Sequence, residues 1–247
     1  MKKALELSLL STDYISKLDL SKYLIIWPIA SIEQHGPHLP LGTDSILLNS
    51  IVNGVLEKLD EDFKGLFLPI MSYGKSPEHL AFPGTVSLQS TTILALIEDV
   101  VSSLAIHGAR EFVFLNGHGG NCGILDSITF DLRHKYGVKA YHLFVWEGKN
   151  IDELSSHFFP NLQELEIHAA SIETSLMLFL YPELVGDIPD GNSTRKVLEP
   201  ISYGWSSLDF GSNGVIGDPE YASVQAGKEI YHFTVESVCE KLSSIQK

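Results

Sequence analysis

The chain has 247 residues, of which 44% are hydrophobic and 19% are charged, a composition typical of a globular protein rather than a disordered one. Its 17 basic and 31 acidic residues give a formal net charge of −14, which argues against nucleic acid or an anionic membrane as a partner, because both need a basic surface. The separated cysteines Cys122 and Cys239 do not indicate a disulfide scaffold, and no apolar run is long enough to span a bilayer, so we expect a cytoplasmic protein with no membrane partner.

Segments with the hydrophobic pattern of strands alternate along the chain with segments that have the pattern of helices. We predict strands at 23–29, 65–70, 111–115 and 138–146, and helices at 44–59, 90–107, 121–136, 168–180 and 220–245. Ser90 is the predicted N-cap of the second helix. This alternation indicates βαβ units, and therefore an α/β fold with a mostly parallel central sheet that is covered by helices on both faces.

The region 186–219 is rich in Gly, Pro, Ser, Asn and Asp. We interpret it as a long loop at an active site rather than as a linker between domains, since no repeat or low-complexity segment divides the chain. The sequence therefore predicts a single domain over residues 1–247.

The segment that leaves the first long strand carries Glu33, His35 and Asp44, which are residue types that bind Zn²⁺, Mn²⁺ or Fe²⁺. Glu33 and His35 are two residues apart, so in an extended segment their side chains point to the same face. Glycines and prolines between His35 and Asp44 allow the chain to double back. A metal site is one interpretation; the other is that Asp44 is a helix N-cap and Glu33 a surface charge.

A glycine-rich turn at 117–120 follows the predicted strand 111–115 and contains His118. The glycines allow close approach of a ligand to the backbone, and a phosphate-binding turn is one interpretation. That motif requires a third glycine where this chain has Cys122. Parallel sheets place ligands at the carboxyl ends of their strands, and Glu33, His35 and His118 all lie just beyond predicted strand ends.

A third pair of candidates, His168 and Glu173, lies at the start of the apolar segment 168–180. Five residues on a helix of about 3.6 residues per turn place the two side chains about 140° apart, so they cannot face one point from mid-helix. At the helix entrance they could border the same pocket. An unpaired carboxylate in so apolar a segment is costly, which favours a metal near Glu173 over a solvent-facing position.

These segments resemble the creatininase (creatinine amidohydrolase) family in five motifs that occur in family order. The matching segments are 28–44 with Glu33, Gln34 and His35, the Glu78-His79 to Thr85 loop, Asn116 to Asn121, His168 to Ser175, and Gly214 to Pro219. The resemblance implies a three-layer α/β/α fold, a dinuclear site for divalent cations such as Zn, Mn or Fe, and a homo-oligomer, often a hexamer.

The resemblance also implies roles for individual residues. Asp44 would bridge two metals, with Glu33 and His118 completing one site and His35 and Glu173 the other. His168 would lie beside the substrate as a candidate proton donor, so that His168 and Glu173 are the expected catalytic residues. His38 would support a ligand or pack the loop rather than bind metal.

The sequence departs from true creatininases at Gly119-Gly120, where they carry a Tyr-Glu pair whose Glu binds metal. Glu173 is the expected replacement carboxylate, and creatinine itself becomes a doubtful substrate. We expect a metal-activated water to cleave a non-peptide or cyclic amide C–N bond of a small molecule. The alternatives within the family are a formylamino-pyrimidine nucleotide deformylase, with Arg195 and Lys196 as phosphate contacts, and a peptide-maturation peptidase.

Two alternatives come from other functional classes. A nucleotide-binding domain without hydrolytic activity would use the 117–120 turn and need no metal. A metal-stabilised structural or regulatory oligomer that has lost activity would keep the metal-binding residues but would not catalyse hydrolysis.

Overall fold

The computed structural model describes residues 4–147, 157–159, 167–191 and 204–246. The strands among them are β1 (Leu5–Glu6), β2 (Leu24–Ile29), β3 (Gly65–Phe67), β4 (Glu111–Asn116) and β5 (Lys139–Phe144). The α-helices among them are α1 (Thr12–Ile15), α2 (Thr43–Lys58), α3 (Ser90–Ala105), α4 (Cys122–Tyr136), α5 (Ser171–Leu180) and α6 (Val224–Ile245).

The five strands form one sheet in the order β1-β3-β2-β4-β5, and every neighbouring pair is parallel. The chain therefore moves from β2 to one side for β3 and crosses to the other side for β4. Such a reversal opens a crevice at the carboxyl ends of the two strands that flank it. The predicted parallel sheet is confirmed, and the crevice lies between β2 and β4.

Helices cover both faces of the sheet because successive residues of each strand point to opposite sides. On one face, Leu24 and Ile26 of β2 pack in a core with residues of α2 and α6, such as Leu48 and Val238. On the other face, Ile25 and Trp27 pack with residues of α3 and α4, and Ile97 and Leu125 belong to that core. The predicted α/β/α layering is therefore confirmed.

Helix α5 packs against α6 in a smaller apolar cluster at the side of these layers. A side chain at Gly227 of α6 would collide with the carbonyl of Ser175, so the glycine allows the two helices to approach closely. This contact fixes the position of α5, which carries Glu173.

Several element boundaries differ from the predictions for identifiable reasons. The predicted strand 65–70 ends at Phe67, and the ladder resumes only as a single bridge between Ile29 and Met71, because Pro69 has no N–H to donate. Gln89, and not Ser90, is the N-cap residue of α3. The terminal helix begins at Val224 rather than at residue 220, since Ser223 caps it by accepting from the N–H of Ala226.

Candidate metal centre

The segment between β2 and α2 doubles back on itself, as its glycines and prolines predicted. The N–H of Glu33 donates to the carbonyl of Leu41 at 3.0 Å, and His35 forms an antiparallel bridge with Leu39. Gly36 makes the turn with a positive φ of 66°, a conformation that favours glycine. The return places Asp44 in the first turn of α2, beside the strand end from which Glu33 and His35 project.

The five predicted ligands converge at the carboxyl ends of β2 and β4. Asp44 is central, since its Oδ1 lies 3.3 Å from Nε2 of His35 and its Oδ2 lies 3.1 Å from Nδ1 of His118. Glu33 Oε2 lies 3.3 Å from Nε2 of His118, and Glu173 Oε1 lies 3.7 Å from Nε2 of His35. The two oxygens of one carboxylate therefore face two different imidazoles, each of which has a second carboxylate beside it.

Backbone carbonyls orient both of these imidazole rings. Nδ1–H of His35 donates to the carbonyl of Glu33 at 3.1 Å, and Nε2–H of His118 donates to the carbonyl of Lys75 at 2.9 Å. When the ring is neutral, the opposite nitrogen of each imidazole carries a lone pair that faces Asp44. A lone pair facing a carboxylate is favourable when a cation lies between them, which is the usual arrangement of metal-binding histidines.

The pKa shifts of the cluster residues also indicate that a positive charge between them is stabilising. Burial alone would lower the pKa of both histidines, but Asp44 and Glu173 raise that of His35 well above its usual value, and Glu33 and Asp44 raise that of His118 to about 10. Burial raises the pKa of Glu33 to about 7, whereas the two histidines hold the pKa of Asp44 below its usual range against burial. Divalent cations would satisfy these carboxylates without protonating the imidazoles.

Several buried atoms of the cluster have no hydrogen-bond partner among the described residues. These are both carboxylate oxygens of Glu33, Nε2 of His35 and Oδ2 of Asp44. Buried polar atoms are normally paired, so this set of unpaired atoms fits a site built for an ion. Imidazole nitrogens combined with carboxylate oxygens suit Zn, Mn or Fe.

His168 and Glu173 meet at the same cluster, but not from the helix that the sequence predicted. The helix begins at Ser171 rather than at His168, because His168 pairs with Ile216 in a β-bridge and Ala169 adopts a positive φ of 53°. The N–H of Ala169 donates to Oε2 of Glu173 at 2.6 Å. This turn brings both side chains to one pocket, as their position at the helix entrance allowed.

The ring of His168 is held by the backbone of the first motif. Its Nε2–H donates to the carbonyl of Gln34 at 2.6 Å, and its Nδ1 lies 3.5 Å from Glu33 Oε1. The ring centroid is 4.4 Å from that of His35. Burial, reinforced by the nearby charge of His35, lowers the pKa of His168 to about 4, so the ring is neutral near pH 7 with a bare Nδ1.

Sequence reasoning missed His79, which is fully enclosed beside Glu33 and His168. Its Nε2 lies 3.4 Å from Glu33 Oε1, and its ring centroid is 4.1 Å from that of His168. Burial and the neighbouring imidazole of His168 lower the pKa of His79 to about 2. The sequence signal that could have identified His79 was its place in the Glu78-His79 to Thr85 motif.

His38 lies apart from the five predicted ligands. Its Nε2 lies 2.9 Å from the hydroxyl of Thr174, and burial lowers its pKa to about 4. This contact ties the first motif to α5, in keeping with the expected packing role.

The glycine turn after β4 serves to present His118. A side chain on Gly120 would collide with the carbonyl of Lys75 and stand 2.5 Å from Nε2 of His118, whereas Gly119 has open space. His118 itself points into the carboxylate cluster, which favours the metal interpretation of the turn over nucleotide binding. Arg195 and Lys196, the predicted phosphate contacts, lie outside the described residues.

A family model described as creatinine amidohydrolase matches residues 8–242 of the chain. The chain belongs to the creatininase family. A mycofactocin precursor peptide peptidase of Mycolicibacterium smegmatis is 28% identical to it over 90% of this chain and 85% of the relative. A creatinine amidohydrolase of Pseudomonas putida is 31% identical over 70% of each protein.

Solved structures of creatininases share the fold and include metal-loaded forms. A creatininase in a manganese form matches with a TM-score of 0.78, and a mutant creatininase of zinc–zinc type with a TM-score of 0.80. Both are 25% identical, and each match covers 98% of both chains. The predictions of a divalent-metal cofactor and of a hydrolase are confirmed, and this member of the creatininase family is a metal-dependent amidohydrolase. No helix among the described residues is long and apolar enough to cross a membrane.

Proposed function

We propose that the cluster binds two divalent cations bridged by Asp44, and that the protein uses them to hydrolyse the C–N bond of a small amide. Glu33 and His118 would hold one cation, and His35 and Glu173 the other. The observation that carries this assignment is the position of Asp44, whose two oxygens face ring nitrogens of two different imidazoles at 3.3 and 3.1 Å.

The bound cations would supply a water of lowered pKa and polarisation of the amide carbonyl. The protein supplies the proton transfers. His168 presents a bare Nδ1 to the pocket because its Nε2–H is committed to the carbonyl of Gln34, so Nδ1 can accept a proton from the attacking water and return it to the leaving nitrogen. The backbone contact prevents the ring from turning, which keeps Nδ1 on the side of Glu33 and the proposed metal centre.

The two carboxylate oxygens of Glu173 have different partners. Oε2 is fixed by the N–H of Ala169, and Oε1 faces His35. A glutamate at position 120, where other family members carry a metal-binding residue, has no room beside the carbonyl of Lys75. Glu173 therefore provides the fifth ligand from the opposite wall of the crevice.

The experiment that tests the proposal combines metal content with activity. Protein stripped by a chelator should lose hydrolysis of a panel of cyclic amides and formamides, and regain it with about two equivalents of Zn²⁺ or Mn²⁺ per chain. Asp44→Asn should abolish binding of the pair, whereas Asp126→Asn, a change on the exposed side of α4, should not. Full activity in Asp44→Asn protein would refute the assignment.

A second candidate function is a peptidase that matures a small peptide. One of the most similar relatives is a precursor peptide peptidase, and the match covers 90% of this chain. The same centre would serve this reaction, since peptide and small amides share the carbonyl and the leaving nitrogen. Mass spectrometry of short peptides and small amides incubated in parallel with the metal-loaded protein decides between the two substrate classes.

We also infer a homo-oligomer, with a hexamer as the expected form, in the cytoplasm. Family membership supports the first inference, and the free thiols of Cys122 and Cys239 are compatible with a reducing compartment. Light scattering coupled to size-exclusion chromatography measures the number of subunits directly.

A further inference from the structure

His79 lies within the metal centre although it is none of the predicted ligands. Its side chain is 3% exposed, and its Nε2 lies 3.4 Å from Oε1 of Glu33. Donor atoms of Glu33, His79 and His168 lie within 4.8 Å of one another, so distances alone would admit His79 as a metal ligand. Which nitrogen of the ring carries the proton decides whether it can be one.

The proton is placed by Gln34, whose side-chain amide has a single possible orientation. Its Oε1 accepts from the N–H of Gly36 at 2.9 Å, and its Nε2 donates to the carbonyl of Gly214 at 2.9 Å. The second hydrogen of this nitrogen points to Nδ1 of His79 at 2.8 Å. Nδ1 of His79 must therefore be an acceptor, because a proton there would face the amide donor of Gln34.

The hydroxyl of Ser207 is compatible with this arrangement. It lies 2.6 Å from Nδ1 of His79 and 3.1 Å from the carbonyl of Glu78, and it can donate to either of these acceptors. A ring whose Nδ1 accepts carries its proton on Nε2. This nitrogen lies 3.4 Å from Oε1 of Glu33, a buried oxygen that has no hydrogen-bond partner among the described residues.

His168 is the other imidazole near Oε1 of Glu33, at 3.5 Å, but it has the opposite tautomer. Its Nε2–H is committed to the backbone carbonyl of Gln34, so the Nδ1 that faces Glu33 has no proton to donate. Of these two rings, His79 is therefore the one that can donate to Oε1. Gln34 therefore fixes both tautomers: its side-chain amide fixes that of His79, and its backbone carbonyl fixes that of His168.

We propose that His79 is a positioning residue that donates Nε2–H to Oε1 of Glu33, and that it is not a metal ligand. With Oε1 engaged by His79, Glu33 would offer Oε2 to the proposed cation. The proposal rests on the proposed function in one respect, namely that Glu33 is a ligand. The tautomer itself does not depend on that assignment.

The tautomer can be read in protein labelled with ¹⁵N-histidine, both free of metal and loaded with Zn²⁺. Long-range ¹H–¹⁵N spectra, with the His79 signals identified from their loss in His79→Gln, distinguish a protonated ring nitrogen from a bare one. We expect Nε2 of His79 to be protonated in both states. A bare Nε2 in the metal-free protein, or loss of its proton on loading, would overturn the proposal.

Substitutions test the consequence for the metal by competition against a chromophoric chelator. His79→Leu removes the donor and should weaken Zn²⁺ binding about 10- to 100-fold, the usual effect of losing a partner of a ligand. His79→Gln keeps an N–H near the position of Nε2 and should restore most of the affinity. Ser207→Ala, which leaves the Gln34 contact in place, should bind as tightly as the wild type.

Gln34→Glu provides the reverse test, because a carboxylate next to Nδ1 attracts the proton to that nitrogen. We expect the spectrum to shift toward Nδ1–H and the affinity for Zn²⁺ to fall as in His79→Leu. Native affinity in both His79→Leu and Gln34→Glu would overturn the positioning role. If the wild type binds no Zn²⁺, the proposed function fails, while the metal-free spectrum still decides the tautomer of His79.

Discussion

The N–H of Ala169 donates to Oε2 of Glu173 at 2.6 Å, a hydrogen bond within the segment that carries both His168 and Glu173. It holds Glu173 with its other oxygen toward His35, and it closes the turn that begins at His168. The positive φ of Ala169 makes the turn possible, so a local feature of the backbone places Glu173 beside His35 in the candidate metal centre.

Glu173→Gln should therefore lower metal occupancy from two equivalents per chain toward one. The amide oxygen can still accept from Ala169, but a neutral group binds a divalent cation poorly. We expect kcat/KM to fall by more than about 100-fold, since loss of a mere partner of a ligand already costs up to that much. Elemental analysis and steady-state kinetics measure both effects. Glu183→Gln, on an exposed turn after α5, is the matched control, and two equivalents in Glu173→Gln would contradict the assignment.

His168→Asn should separate proton transfer from metal binding. The substitution removes the bare Nδ1 and leaves the five proposed ligands intact. We expect kcat to fall by about 10²- to 10⁴-fold, the usual contribution of a positioned acid or base, while the metal content stays at two equivalents. His134→Asn, on the exposed end of α4, serves as the control. Loss of metal in His168→Asn would instead make His168 a ligand.

The neighbouring glycines of the turn after β4 offer a sharp comparison. Gly120→Ala places a Cβ against the carbonyl of Lys75 and 2.5 Å from Nε2 of His118, whereas Gly119→Ala meets nothing within 4 Å. We expect Gly120→Ala to destabilise the protein by about 1–3 kcal/mol, as overpacking does, and to weaken metal binding through His118. Gly119→Ala should leave both unchanged. Denaturant unfolding and chelator competition are the measurements, and equal behaviour of the two variants would refute the argument.

The sequence allowed much of this site to be predicted because its main signals are local. Glu33, His35 and Asp44 lie on one doubling-back segment, and parallel strands bring His118 to the same edge of the sheet. Two features of the site gave no such signal in the sequence. Ala169 takes a conformation that usually marks a glycine, and the partners of His79 lie 45 and 128 residues away, at Gln34 and Ser207.

The stability of the metal-free protein should depend on pH in a direction set by its buried cluster. The pKa of His118 is raised from 6.5 to about 10 and that of Glu33 from 4.5 to about 7. A raised pKa contributes stability that is complete below the pKa of the unfolded state and is lost as pH rises through that of the folded state. Above about pH 6.5, where the lowered pKa values of His79 and His168 no longer change the stability, metal-free protein should therefore lose thermal stability progressively as pH rises toward about 10. Asp44 acts in the opposite sense, since its lowered pKa removes stability only in strong acid.

Metal-loaded protein should behave differently over the same range, because metal binding requires deprotonated ligands and is strengthened as they lose their protons. We expect the Tm of the Zn²⁺ form to stay level or rise where that of the metal-free form falls, so the gap between the two widens with pH. Differential scanning calorimetry at a series of pH values, with and without Zn²⁺, measures this gap. Asp44→Asn should remove most of it, because the substitution eliminates the carboxylate that faces both histidines. Parallel Tm curves for the metal-free and loaded wild type would show that these histidines do not bind the metal.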